Sequence, residues 1–276
     1  MGIAEDILGP EGWHAALAAL AWQVELGVTE VVGETPLDAY ALPSEAVAPP
    51  RAAAAAVPRP VRSVAAEPVP VAAADPVLMA RTAAAAATDL DALREAIAGF
   101  DLCELKRGAR NTVFADGRAG ARVLILGEAP GREEDIEGRP FVGRAGQFLD
   151  RMLASIGLSR DAPDLERAVY ITNVLPWRPP QNREPTPEEI AMLRPFVERH
   201  IELAAPELVV AMGNAAIAAL INQRGITRLR GTWTRALGLP VLPMCHPAYL
   251  LRNPHAKREA WADLLALEDR LAGGAA

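Results

Sequence analysis

The stretch ARVLILGEAPGREEDIEGRPFVGRAG, residues 121–146, decides the fold. It opens with an apolar run of strand length, and Gly127 then turns the chain into a segment rich in acidic, aromatic and glycine residues. Short runs that are apolar on both faces belong to the interior of a parallel sheet. The segment after such a strand lies at its carboxyl end, where open α/β sheets keep their active sites. Three more runs share this character: AVYITNV at 168–174, ELVVAMG at 207–213 and LPVLPMC at 239–245. Helical patterns lie near 144–157, 187–204, 213–222 and 254–272. Strand alternating with helix predicts an α/β fold, a three-layer α/β/α sandwich around a central four-stranded parallel sheet.

The 276 residues, 51% of them hydrophobic, are ample for a core. Residues 1–87 carry ten acidic and four basic side chains, so most of the net charge of −7 lies in the N-terminal third and the remainder is close to neutral. A near-neutral domain can still bind DNA where its arginines gather on one rim. The two cysteines, Cys103 and Cys245, stand in no CxxC or Cys/His cluster, so neither a disulfide framework nor a cysteine metal site is expected. No apolar run is long enough to span a membrane and Glu5 and Asp6 occupy the place of a basic leader, which leads to the expectation of a cytoplasmic protein.

Residues 11–26 place Trp13, Leu17, Leu20 and Leu26 at helical spacing. Residues 43–87 are almost wholly Ala, Pro and Val, with eight prolines between 43 and 76, and read as a disordered or polyproline linker. The domain organisation expected is therefore an N-terminal helical segment at 1–42, a linker at 43–87 and one catalytic domain at 88–276. Within the last, Thr88 or Asp89 caps a helix that ends near Gly99.

Several residues carry chemistry on their own account. Asn173 ends a strand with an amide that offers a donor and an acceptor together. His246 ends another, at the start of HPAYLLRN. The GNAA turn opens a helix, so the backbone N–H groups of Gly213 and Asn214 are placed to hold a phosphate.

Taken together, GEAPG, GRPFVGRAG, ITNV, RPPQNR, ITRLRG and HPAYLLRNP, in that order over residues 98–272, resemble the uracil-DNA glycosylase superfamily, and specifically its family 4 bacterial enzymes. The resemblance implies excision of uracil from DNA by hydrolysis of the N-glycosidic bond, which leaves an abasic site for base excision repair. It also implies a monomer at the bacterial nucleoid, with single- or double-stranded uracil DNA as partner and free uracil as product. A repair or replication partner is the expected role for the N-terminal helix. The alternative within the superfamily is a slow-turnover binder that protects uracil or abasic DNA. The segment EEDIEGRPF lacks the basic insertion with histidine of a related branch that crosslinks to its product, so no covalent adduct is expected.

The resemblance also distributes roles. Phe141 stacks on the flipped base, Asn173 reads its edge, and His246 donates to uracil O2 as charge develops there. Glu128 and Ala129 hold the positions of a glutamine and a water-activating aspartate in the best-known branch; Ala129 cannot polarise water, which leaves Glu128, Glu134 or the backbone to position it. Glu134 lies near uracil C5, while Glu133 and Glu137 read as a solvated loop. Arg139, Arg144, Gln147, Arg228 and Arg230 suit DNA, and Leu250, Leu251 and Arg252 resemble the wedge that fills the gap left by the base.

One departure is large. Family 4 enzymes hold a [4Fe–4S] cluster on four cysteines, and the aligned positions here are Phe100, Cys103, Trp177 and Leu193. A cluster needs about four thiolates. With only Cys103 remaining, no metal or cofactor is expected, and the three apolar residues are expected to pack as a plug.

Overall fold

In the computed structural model, residues 75–273 and the single position 17 are described. The helix expected at 11–26, the segment 1–42 and the linker up to residue 74 lie outside the described residues.

The four expected strands are β2 (Val123–Gly127), β3 (Val169–Asn173), β4 (Leu208–Met212) and β6 (Leu239–Met244). They form the parallel interior of a sheet that has six strands, in the order β1-β3-β2-β4-β6-β5. The strand count thus corrects the expected four. The additions, β1 (Ala115–Gly117) and β5 (Thr234–Ala236), are three-residue antiparallel edges. ADG and TRA are half-exposed or exposed and hold no apolar run, so they give no hydrophobic signal. Short polar edges also protect a sheet from pairing with other chains.

Every residue of β2, β3 and β4 is buried, as a strand covered on both faces requires. From β2 the chain crosses first to β3 on one side and then back to β4 on the other. This reversal opens a crevice at the carboxyl ends of the strands.

The covering helices are α1 (Pro76–Ala86), α2 (Leu90–Ala98), α3 (Leu105–Gly108), α4 (Arg132–Glu137), α5 (Arg144–Ala154), α6 (Pro187–Ala204), α7 (Asn214–Ile221), α8 (Ile226–Leu229), α9 (Pro247–Arg252) and α10 (Lys257–Leu271). Asp89 caps α2 by accepting the Ala92 N–H at 2.8 Å. In α6, Thr186 and Glu189 form a capping box, with Thr186 Oγ1 on the Glu189 N–H and the Glu189 carboxylate on the Thr186 N–H. The acidic run REEDIE, in which Glu133 and Glu137 read as a solvated loop, is α4: its carboxylates crowd the first turn, where the helix dipole favours them.

The end of the expected linker is corrected by α1. Its Pro76 stands in the first turn, where proline is tolerated, and Asp75 caps it through the Val77 N–H. Ala80, Ala84 and Ala87 are buried as α1 packs on α6. Arg199 of α6 donates twice to the Ala87 carbonyl, at 3.0 and 2.7 Å. Alanine-rich sequence reads as low complexity, yet small side chains are what let two helices approach closely.

The plug positions Phe100, Cys103, Trp177 and Leu193 are all buried, and Phe100 packs edge-on against Phe196 with ring centroids 5.3 Å apart. Trp177 gives its indole N–H to Thr112 Oγ1 at 3.1 Å.

The packing of α1 is tested by two truncations, one beginning at residue 75 and one at residue 88. The chain beginning at residue 88 should melt lower than the one beginning at residue 75 by about 5 °C or more, since losing a packed helix costs a few kcal/mol and a domain this size shifts roughly 2–4 °C per kcal/mol. Equal melting of both truncations in calorimetry would deny α1 a place in the core.

Candidate active site

The carboxyl ends of β2, β3 and β6 converge. Gly127 and Asn173 are register partners at the ends of adjacent strands, and Asn173 is almost fully buried. A β carbon at Gly127 would fall on Asn173 Oδ1 and lie within 2.5 Å of the Phe141 ring, so the absent side chain is the space these two share. Among the described residues, Asn173 Oδ1 is the only buried side-chain polar atom without a hydrogen-bond partner. Leaving such an acceptor unmatched costs about 1–3 kcal/mol. A native site tolerates this where a ligand supplies the donor.

Phe141 has φ of 55°, a left-handed backbone that costs a residue with a side chain about 1–3 kcal/mol. Its ring is buried and stacks against the His246 imidazole, with centroids 5.4 Å apart at 29°. The turn that presents it is tied to Glu134, whose Oε1 accepts from the Val142 and Gly143 N–H groups at 3.0 and 2.9 Å while Oε2 accepts from Gly131 at 3.0 Å. Glu134 is buried and holds the loop. Glu133 and Glu137 are exposed, whereas Asp135, buried, accepts from the backbone of Arg110 and Asn111.

His246 caps α9: its Nδ1 accepts the Ala248 N–H at 3.2 Å, so the ring proton belongs on Nε2. Loss of solvation, reinforced by the Arg252 guanidinium, pushes its pKa down to about 4, and the imidazole is neutral at pH 7. A neutral Nε2–H is a donor able to meet a developing anion without first losing a proton.

A cleft of about 570 Å³ opens over this group, lined by Glu128, Ala129, Glu134, Phe141, Tyr249 and Arg252 among others. Burial raises the Glu128 carboxyl above the usual carboxylate range; Glu184 across the cleft adds to this and Arg252 opposes it. The segment after β3 also reaches the cleft through Pro179, Asn182, Arg183 and Glu184. Arg183 is fixed there by both oxygens of Glu189, at 2.8 and 2.6 Å.

The expected DNA contacts divide. Arg144 and Arg252 are exposed at the cleft and, among the described residues, make no ion pair; Arg132, not anticipated from the sequence, is equally placed. Gln147 is exposed one turn along α5. Arg139 is half-exposed between Asp116 at 3.5 Å and Glu137 at 3.2 Å. Arg230 does not present its charge outward: its Nε bonds Asp263 Oδ2 at 2.8 Å and its Nη2 reaches the Glu259 carbonyl at 2.8 Å. Asp263 is buried, and an arginine beside a buried carboxylate is drawn in as its partner.

At the α7 start, the Gly213 N–H is committed to the Met244 carbonyl at 3.0 Å, which removes it from the phosphate site read there, while the Asn214 side chain anchors a loop, its Oδ1 accepting from Gly225 and Ile226. Gly213, at φ 91°, instead lies against His246, where a β carbon would meet the His246 Cβ at 3.4 Å. In the wedge, Leu250 is fully buried and only Leu251, half-buried, and Arg252 face outward.

The donor set does not fit an iron–sulfur cluster. Phe100 and Leu193 carry no donor, the Trp177 indole is bonded to Thr112, and burial raises the one thiol, Cys103, above its usual pKa. No group of three or more His, Cys, Asp and Glu residues is placed to hold a metal among the described residues.

A parallel sheet with a cleft, a buried strand-end amide and a neutral histidine at its carboxyl ends defines a class. The family model for the uracil DNA glycosylase superfamily matches residues 114–265, more than half of the chain, and the chain belongs to that superfamily. Within it the similarity runs to the type-4 branch. A type-4 uracil-DNA glycosylase of Thermotoga maritima is 40% identical over 167 residues, 59% of this chain and 84% of that protein. One from Archaeoglobus fulgidus is 37% identical over 185 residues, covering 63% and 89%, and one from Sulfurisphaera tokodaii 36% over 179 residues, covering 61% and 79%.

Because His246 titrates lower in the folded than in the unfolded chain, the stability it contributes is full above about pH 6.5 and is lost as pH falls from there towards 4. An NMR titration should find its ring neutral, with the proton on Nε2, down to pH 5. A midpoint near the ordinary histidine value would contradict the geometry.

Proposed function

We propose that this protein excises uracil from DNA, hydrolysing the N-glycosidic bond and leaving an abasic site. The observation that carries the reading is the orphaned Asn173 Oδ1, buried beside an aromatic ring and a neutral imidazole. Uracil matches that set: its N3–H meets Oδ1, its O4 accepts from Nδ2, and its O2 accepts from His246 Nε2–H. Cytosine presents an acceptor at N3 and a donor at C4, which reverses the match.

A base reaches such a pocket only out of the stack. Arg132, Arg144 and Arg252 supply phosphate contacts around the cleft, and Leu251 fills the vacated space in the duplex. As the bond to the sugar lengthens, negative charge gathers on uracil O2, where the His246 donor is already oriented and needs no reorganisation. With Ala129 at the position of the water-activating carboxylate, Glu128 is the residue left to orient the attacking water, and its carboxyl faces the cleft. Glu134, with both oxygens on backbone N–H groups, acts by shaping the turn that carries Phe141.

The test is an oligonucleotide with a single uracil, incubated with protein and then cut at abasic sites by alkali. His246→Ala and Asn173→Ala should each lower single-turnover cleavage by about 10²–10³. Intact uracil with wild-type protein, together with a shifted band in a native gel, would replace excision by lesion binding.

A further inference from the structure

We propose that Arg160 is a positioning residue of this site, acting through Phe141. Arg160 lies in no motif, on the segment that leads to β3, and the residue is buried at 8% exposure. It donates Nη1 to the Pro140 carbonyl and Nη2 to the Phe141 carbonyl, both at 2.9 Å. Its charge is matched by Asp116 of β1 at 2.8 Å and Asp150 of α5 at 2.9 Å.

These bonds complete a clamp of opposite charges on one short turn. Glu134 takes the N–H groups of Val142 and Gly143, and Arg160 takes the carbonyls of Pro140 and Phe141. Between them sits Phe141 at a positive φ that its side chain disfavours, and its carbonyl occupies the space that a side chain at Gly146 would fill. A turn held against its own preference relaxes when either anchor goes. The anchor on the carbonyl side is a fork that a lysine cannot reproduce, since an ammonium can answer Asp116 but cannot span two carbonyls in one plane. The inference rests on the uracil-excision reading for its catalytic meaning, but the clamp itself is a statement about where the ring stands.

Two readouts separate positioning from general stability. The first is a double-mutant cycle on kcat/KM with uracil DNA. Arg160→Lys should lower it about ten- to a hundredfold, as a displaced positioning group does. In a Phe141→Ala background the same change should cost no more than about twofold, because residues acting as one unit are not additive. The second uses ring-labelled phenylalanine in the full chain, which has five phenylalanines. Arg160→Lys should move the Phe141 resonance, which reports the His246 stack, and leave the other four in place.

An unmoved Phe141 resonance, or a cost of more than about twofold on top of Phe141→Ala, would overturn the proposal. If wild-type protein leaves uracil in DNA, the excision reading fails while the resonance still decides the clamp. Should Arg160→Lys not fold, the pair Arg160→Gln with Asp116→Asn removes charge from both sides and is read in the same two ways.

Discussion

The pairing of Gly127 with Asn173 at the ends of β2 and β3 is the constraint on which the site depends. Parallel strands bring their carboxyl ends to one edge of the sheet, and a residue without a side chain at one of those ends leaves a space. Into it come an amide from the neighbouring strand and a ring from the following turn, while β6, joined to the same sheet through β4, delivers His246 alongside. Gly127 and Asn173 are fixed by the sheet itself, Phe141 by side chains that grip its turn, and His246 by its place at the cap of α9 directly after β6. Catalysis by fixed dipoles requires this, because a donor that must first reorient gives back much of what it gains in the transition state.

Charge is used for placement throughout, buried at Arg160, Glu134 and Asp263 and exposed at Arg183. Arg160 and Glu134 grip the Phe141 turn, Arg230 and Asp263 tie the segment before β5 to α10, and Arg183 and Glu189 hold the cleft segment after β3 to the first turn of α6. Such pairs add little net stability, since desolvation offsets most of the attraction where they are buried and solvent screens it where they are exposed, but the buried ones penalise alternative arrangements that would leave a charge unmatched. Near the last of these pairs, Cys103 and the buried Trp177 occupy positions that carry cluster ligands in the family pattern. Apolar packing and a charged clasp here hold the chain where that pattern uses metal.

Much of this was legible in the chain. Four apolar runs bounded by turn residues identified the parallel interior, and Asp89 marked the start of its helix as a cap. Phe141, Asn173 and His246 stood out because polar, aromatic and glycine residues directly followed strands. Less legible were elements without a period or a volume signal: the edge strands ADG and TRA, the single turn of α8, and the alanine-rich α1, whose sequence is compatible with disorder until α6 is present to cover it.

The sequence by itself determined the class of fold, the family and the residue types that meet in the pocket, because hydrophobic period and motif order are local properties that survive in a linear string. It could not distinguish an arginine that faces a phosphate from one that faces a buried carboxylate. Arg144 and Arg230 look alike in the linear chain, and only the fold sets one at the open cleft and the other on Asp263. Nor could it reveal Arg160, whose importance lies in two carbonyls about twenty residues away in the chain. Those distinctions were decided by tertiary structure, since the partner that gives a charge its role is distant in sequence and adjacent only once the sheet has formed.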